Sequence, residues 1–438
     1  MITNRILVIS PQYDKIEHMF GIIMDRMIFH IDCNNAFLSW EAAYRLTKGD
    51  PLDIRTIPAV IGGNREKRKG IVLASSYPAK KFGIRTGMSL MEACKLCPSL
   101  DINPPDYDLY VQCSDEMMAL LSKHTPLVER YSIDECFADV TGCYTGDARD
   151  FADMLRAEIS STLGFTVNIG VSNSKLLAKT ASGFSKPDKT HELYSDELEE
   201  KYFPLPIHKL FMIGFRTCMK LYNLGYRKIG DVAHEDPKLL RKHFKLFGLL
   251  IWSNANGVDH SPVRPYDERP KGIGNGMTLP ADADTPEEAY PFMLSLCEIS
   301  SQRLRAAGMQ AYTISLGIRT NDFRFNSHQR KLVSPTQSTK EIYNICRMLY
   351  NELWDGTPAR GISVRLAGLV AGGTIQLDML GNREARQQKI DSCIDGIREK
   401  YGDGCLRRAS TINTGAESVA VTTHKKYPKI KPNIMNGA

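Results

Sequence analysis

Apolar and polar positions along this chain follow two periods. Met27-Ile28-Phe29-His30-Ile31 is a mostly apolar run and predicts a buried strand that ends at Asp32. Asn34 and Asn35 then predict a cap for a helix beginning near Ala36. The runs 59–63 and 70–76 predict two strands around a basic turn at 64–69, which also reads as an ordinary solvated loop. Residues 77–83 predict a short helix with Pro78 at an early position. Further helices are predicted over 107–124 and near 148–163. Between them, Leu127-Val128-Glu129-Arg130-Tyr131 and Cys136-Phe137-Ala138-Asp139-Val140 are rich in β-branched and aromatic residues. They predict a hairpin whose bend carries Ser132, Ile133, Asp134 and Glu135. A strand over 165–171 and a helix bearing Lys175 and Lys179 follow. The order predicts a mixed α/β sheet with helices on one face.

The second half changes pattern. Residues 205–263 read as helices punctuated by glycines, and a Pro- and charge-rich stretch at 262–271 marks a domain boundary. From 272 to 372 strands and helices alternate. Thr313–Arg319 and Gly361–Leu366 have period two, so Ile314, Leu316 and Ile318 would face helices while Arg319 and Arg365 lie on the opposite, basic face. A charged helix is predicted over about 382–401. The tail carries Lys425, Lys426, Lys429 and Lys431 without acids and is expected to be disordered.

Composition narrows the class. The chain has 438 residues, enough for roughly two to four domains. Lys and Arg number 56 against 50 Asp and Glu, a net charge of +6 that is compatible with nucleic acid without requiring it. Eleven cysteines are scattered. Cys94 and Cys97 form one CxxC pair, but no second pair or nearby His completes a zinc set. Unclustered cysteines fit a reducing cytoplasm. No apolar run of membrane-spanning length occurs, so no membrane partner is expected. Asp14, Lys15 and Glu17 interrupt any signal-peptide pattern, and residues 1–26 are either an extension or lie upstream of a start at Met27.

The candidate chemistry lies in the carboxylates. Asp134 and Glu135 at a tight bend would suit a hard divalent cation, although acids are common in any solvated turn. Asp32, at the end of a buried strand, needs a partner charge or a metal. Together the three form a ligand set for two magnesium ions ~3.5–4 Å apart that assist phosphoryl or nucleotidyl transfer. Phe37 lies near the start of the following helix and reads equally as core packing. Tyr77 and Lys80, three residues apart, share a helix face and read either as a polyphosphate clamp or as a surface pair. Gly170 after a strand, with Lys175 and Lys179 on the next helix, has the look of a phosphate site but lacks a P-loop.

Four motifs in order carry a family resemblance: Asp32-Cys33-Asn34-Asn35-Ala36-Phe37, the run from Ala74 to Gly83, Tyr131-Ser132-Ile133-Asp134-Glu135, and Gly170-Val171-Ser172-Asn173-Ser174-Lys175 with Lys186-Pro187. The chain resembles Y-family, lesion-bypass DNA polymerases of the polymerase IV and UmuC-like kind. The resemblance implies an α/β (α+β) right-hand polymerase. A ferredoxin-like palm with small fingers would occupy 27–204, and a helix-hairpin-helix thumb 205–263. A linker at 264–271 would precede an α/β little finger at 272–372. It implies that Asp32, Asp134, Glu135 and the Cys33 backbone carbonyl hold two Mg²⁺, that Phe37 excludes a 2′-hydroxyl, and that Tyr77, Lys80 and Lys186 hold the incoming triphosphate. Ala74 stands where the family often has Thr, and Lys80 where it often has Arg, a point charge in place of a bidentate fork.

In the thumb, Gly214, Thr217 and Lys220 would grip DNA phosphates without reading sequence, with Met212 in place of the first hairpin glycine. Arg319 and Arg365 would add DNA contacts. Gln376, Leu377, Met379 and Leu380 resemble the peptide that docks on the sliding clamp (β subunit), with Leu380 in place of the usual aromatic; a short apolar linker turn is the plainer reading. The implied protein is a cytoplasmic, nucleoid-associated monomer that works on primer-template DNA and dNTPs without proofreading. Two rivals share parts of the pattern: a non-catalytic DNA-binding or clamp-associated repair factor, and a two-metal nucleotide cyclase.

Overall fold

A computed structural model describes residues 26–63, 70–265, 270–372, 383–412 and 414–416. Its first sheet has the strand order β5-β6-β1-β7-β8, formed by β1 (Ile28–Cys33), β5 (Leu127–Arg130), β6 (Glu135–Asp139), β7 (Val167–Ser172) and β8 (Thr190–Glu192). β1 lies antiparallel between β6 and β7, and β7 runs parallel to β8. Side chains alternate across this sheet. Phe29, Ile31, Cys136, Ala138, Ile169 and Val171 face a core built with α1 (Ala36–Thr47), α4 (Tyr107–Leu121) and α5 (Ala148–Leu163). The ends of α5 follow local chemistry: Asp147 accepts from the Arg149 amide, and Gly164 closes the helix at φ 74°.

The expectation of helices on one face is corrected here. Ile28, His30, Phe137 and Gly170 face the other way, and α6 (Lys175–Ser182) covers them. The cover is close: a Cβ on Gly170 would come within 1.9 Å of the Ala178 carbonyl. Glycine is what lets this helix lie directly on the sheet.

A small sheet, β3-β2-β4, holds β2 (Ala59–Gly62), β3 (Val72–Ser75) and β4 (Asp101–Asn103), with α2 (Tyr77–Lys81) and α3 (Leu90–Leu96) between the last two. The helical segment contains α7 (Phe215–Asn223), α8 (Ile229–Ala233), α9 (Pro237–Phe244) and α10 (Leu246–Ala255). Its core includes Leu176, Leu177 and Ala181 of α6, so it grows directly from the first domain. The chain then returns to the first sheet: Val263 is buried with Ile28, Phe137 and Ala178, and Asp259 accepts from the Leu176 amide at 3.0 Å.

The C-terminal domain is β9 (Gly272–Ala283), α11 (Pro286–Ala306), β10 (Met309–Thr320), β11 (Phe325–Thr336), α12 (Thr339–Leu353) and β12 (Ala359–Ala371). The sheet order β11-β10-β12-β9 is that of a split βαβ unit. Ile314, Leu316 and Ile318 are buried toward the helices, as their period predicts, and Arg319 and Arg365 are exposed on the open face. Helix α13 (Arg383–Tyr401) packs back on this domain through Arg305, which meets Asp395 at 2.6 Å, and Arg398, which meets Glu298 at 3.3 Å. No described helix is long and apolar enough to cross a membrane.

Candidate active site

The site is built on one row of the first sheet. Asp32 of β1 lies directly across from Glu135 of β6 on one side and Asn168 of β7 on the other. Asp134 precedes Glu135 in the hairpin, where its carbonyl accepts from the Cys33 amide at 2.9 Å. The bend is closed by the Tyr131 and Ser132 amides, which both donate to the Glu135 carbonyl at 3.0 Å. Register therefore brings three carboxylates from two strands to one sheet end.

Each carboxylate has its own partner. Asp32 pairs with Lys186 from the loop after α6. Glu135 meets the Lys179 ammonium at 2.5 Å and His30 Nε2 at 3.2 Å. Asp134 accepts from the Ser132 hydroxyl at 2.5 Å. Burial would raise the Glu135 carboxyl, but His30 and Lys179 outweigh it and hold the group at about 2. Burial, with Asp32 and Glu135 adding repulsion, holds the Asp134 carboxyl above its ordinary value although Ser132 opposes this. His30 is fully buried; burial and the Lys179 charge lower its pKa, which favours the neutral ring. Burial also keeps the Cys33 thiol protonated, which leaves its backbone carbonyl as the oxygen donor.

The all-oxygen set of Asp32, Asp134, Glu135 and the Cys33 carbonyl has the chemistry a hard divalent cation needs. Among the described residues, no three His, Cys, Asp or Glu side chains converge as a ready-made cage. The carboxylates are neighbours turned toward separate lysine and serine partners, so holding ions requires the side chains to turn.

Helix α2 lies within the field of Asp32. Ser76 caps it by accepting from the Ala79 amide. Lys80 Nζ lies 4.5 Å from the centre of the Tyr77 ring and donates to Asn35. Burial and the charge of Asp32 raise the Tyr77 phenol; burial and nearby Lys186 lower the Lys80 ammonium. Tyr77, Lys80, Lys186 and Asp32 thus share one field. Phe37, in the first turn of α1, is half-buried, stacked on Tyr110 at 4.5 Å and 9° and edge-on to Tyr107.

Several readings change. Asn35 stands at the α1 N-cap position with φ 50°, but its side chain makes no cap hydrogen bond. Asn34 is no cap either. It donates to Asn168, accepts from the Thr166 hydroxyl and the Asp188 amide, and so ties β1 and β7 to the loop carrying Lys186. Lys175 and Lys179 do not form a free phosphate cluster: Lys175 is paired with buried Glu129 at 2.7 Å and Lys179 with Glu135. The roles of His30 and Asn168 were missed from the sequence, and Asn34 was read there as a cap. A histidine inside an apolar run was the one signal that pointed to His30.

In the helical segment, Gly214 stands at the N-cap of α7, and Thr217 and Lys220 lie on that helix. Met212 has φ 69°, the left-handed backbone that glycine would adopt most readily there. A second hairpin, α9–α10, was also missed. It exposes Lys238, Arg241, Lys242, His243 and Lys245 beside exposed Leu246 and Phe247. Arg319 and Arg365 belong to the C-terminal sheet. Gln376, Leu377, Met379 and Leu380 lie outside the described residues, as do residues 1–25 and the basic tail.

Comparison with known proteins identifies the family to which this fold belongs. Residues 31–183 match the model of the impB/mucB/samB family, and residues 270–379 match the model of its C-terminal domain. The chain belongs to this family, the Y-family of DNA polymerases. A DNA polymerase IV from Clostridium acetobutylicum is 43% identical over 88% of this chain and 98% of its own length. A DNA polymerase IV from Pelotomaculum thermopropionicum is 36% identical over 81% of this chain and 89% of its own. The solved Dbh-Dpo4 Y-family DNA polymerase chimera superposes with a TM-score of 0.70 at 24% identity, covering 79% of this chain and all of that one. Divalent metal use goes with this family in general.

Proposed function

We propose that the chain is a DNA-directed DNA polymerase for translesion synthesis, adding dNTPs to a primer 3′ end opposite damaged template. One observation carries the reading: Asp32 and Glu135 form a cross-strand pair with Asp134 beside them, and Asp32 pairs with Lys186 and acts on Tyr77, whose ring holds Lys80. Acids beside phosphate-binding cations suit a metal-bound triphosphate. Asp32, Asp134, Glu135 and the Cys33 carbonyl would hold two Mg²⁺, which when bound activate the primer hydroxyl and neutralise the leaving pyrophosphate.

The chain's own side chains do the positioning. Lys80 and Lys186 bind the triphosphate oxygens, and Tyr77 adds its hydroxyl while its ring holds the Lys80 ammonium. Lys186 and Lys179 offset the carboxylate charge of the site. Phe37 occupies the place of a 2′-hydroxyl and selects deoxyribonucleotides. Gly214, Thr217 and Lys220, the α9–α10 hairpin, Arg319 and Arg365 hold the duplex by its backbone. Gln376–Leu380 docks on a sliding clamp. The enzyme works as a cytoplasmic, nucleoid-associated monomer without proofreading. The relatives named DNA polymerase IV favour that branch over the UmuC-like one.

Primer extension on intact and abasic templates, with Mg²⁺ and pure protein, tests the reading. Wild type should extend distributively, and Asp134→Ala should stop synthesis while duplex binding stays intact. Binding without synthesis by the wild type, with or without clamp, would point instead to a non-catalytic repair factor. Turnover without DNA would point to a nucleotide cyclase.

A further inference from the structure

The Phe37 ring is held by α4 rather than by its own helix alone. Tyr107 and Tyr110 stand three apart on α4, so both reach the same neighbouring helix. Tyr110 lies parallel to Phe37, 4.5 Å away at 9°. Tyr107 closes one edge at 6.0 Å and 83°. Trp40, one turn along α1, packs tilted against both Phe37 and Tyr110 at 6.0 Å. Tyr110 itself is fully buried, so it has no free space to retreat into. A side chain that excludes a hydroxyl group works only if it cannot swing aside, and close-packed rings transmit that resistance.

We infer that Tyr110 is a specificity-determining positioning residue: its ring backs the Phe37 ring, and this stack gives the site its discrimination against ribonucleotides. The inference rests on the reading of Phe37 as the sugar-excluding side chain. It assigns the effect to the ring and not to the hydroxyl, because the Tyr110 hydroxyl is buried and makes no hydrogen bond of normal geometry with a protein group. A stacked aromatic pair contributes enough for its loss to lower discrimination about tenfold.

The test is single-nucleotide incorporation of dNTP and the matching rNTP, as a ratio of kcat/KM values, by full-length wild type, Phe37→Ala, Tyr110→Leu and Tyr110→Phe. Phe37→Ala should relax discrimination most. Tyr110→Leu should relax it about tenfold, through a gain in kcat/KM for rNTP. Tyr110→Phe should keep the wild-type ratio. If Tyr110→Leu does not fold, Tyr110→Met, unbranched and able to fill the space, replaces it with the same expectation. Relaxation in Phe37→Ala with a wild-type ratio in Tyr110→Leu overturns the inference and leaves Phe37 in its role. A loss of rNTP and dNTP use in equal proportion does the same, since that is what a merely structural residue would give. Relaxation in Tyr110→Phe moves the effect to the hydroxyl and overturns the assignment to the ring. No relaxation in Phe37→Ala removes the underlying reading of Phe37.

Discussion

Glu135 and Asp134 are adjacent, yet their surroundings push them in opposite directions. Glu135 is held at about 2 against an ordinary value of 4.5. A depressed carboxyl adds stability above its unfolded pKa and loses it as pH falls through the folded one. The difference corresponds to at most about 3 kcal/mol for this largely buried group. Glu135→Gln should therefore destabilise the metal-free protein at pH 7 by up to that amount. The gap from wild type should close between about pH 4.5 and pH 2 in urea titrations. A constant gap across that window would count against the His30–Glu135–Lys179 arrangement. Asp134 is raised, so the sign reverses: its ionised form costs stability at neutral pH, and the cost disappears on acidification. Asp134→Asn should leave the fold as stable or more stable while stopping synthesis, the pattern of a site kept for function rather than stability. A lower unfolding midpoint at pH 7 would contradict it. These environments were not legible in the sequence. Asp32, Asp134 and Glu135 could be picked out by type and local setting, but His30 meets Ser182 across 152 residues and Asn34 meets Asn168 across 134. Such pairings come from sheet register and from the packing of α6 on the sheet, which no local pattern encodes.

At the level of elements, local patterns were enough where local chemistry decides. The acid hairpin, α5 and the period-two strands of the C-terminal sheet carry their own turn, cap and alternation signals. Which face a helix covers is a tertiary matter, and there Gly170 was the only hint that α6 lies directly on the sheet. Gly248 does the same in the thumb: a Cβ there would come within 2.2 Å of the Leu240 carbonyl. Gly248→Ala should prise α9 from α10 and cost about 1–3 kcal/mol, since the clash is with backbone that cannot rotate away. An unchanged denaturant midpoint would mean that the two helices do not pack this closely. The same hairpin exposes Arg241 and Lys242. Replacing both with Ala should weaken duplex binding alike for every sequence. The slope of log affinity against log salt should fall by about 0.9 for each phosphate that the protein no longer neutralises. Anisotropy titrations over a salt series read this directly, and an unaltered slope would place the hairpin away from DNA.

At the scale of the whole molecule, the chain beyond β12 is fastened to the C-terminal domain by charge. Glu298 of α11, itself nearly buried, meets Arg398 at 3.3 Å and Arg408 at 2.7 Å. Arg305 meets Asp391 and Asp395, and Ala416 is buried in the domain's core cluster. The sequence predicts α13 only as a charged helix. Its buried charges, Asp391 and Arg398, match partners on α11, and a sequence shows the charges without showing which are covered. In the sequence, the proposed clamp peptide at 376–380 falls between β12 and α13. Removing one partner of a buried pair leaves the other uncompensated and costs about 3–5 kcal/mol, whereas removing both costs less. Glu298→Ala, which leaves both Arg398 and Arg408 without their partner, should therefore destabilise the C-terminal domain more than the charge-free set Glu298→Met, Arg398→Met and Arg408→Met. Urea unfolding of the full chain, followed by proteolysis of 383–416, compares them. Equal and small losses would mean that α13 is held by its apolar packing, with the ion pairs contributing little.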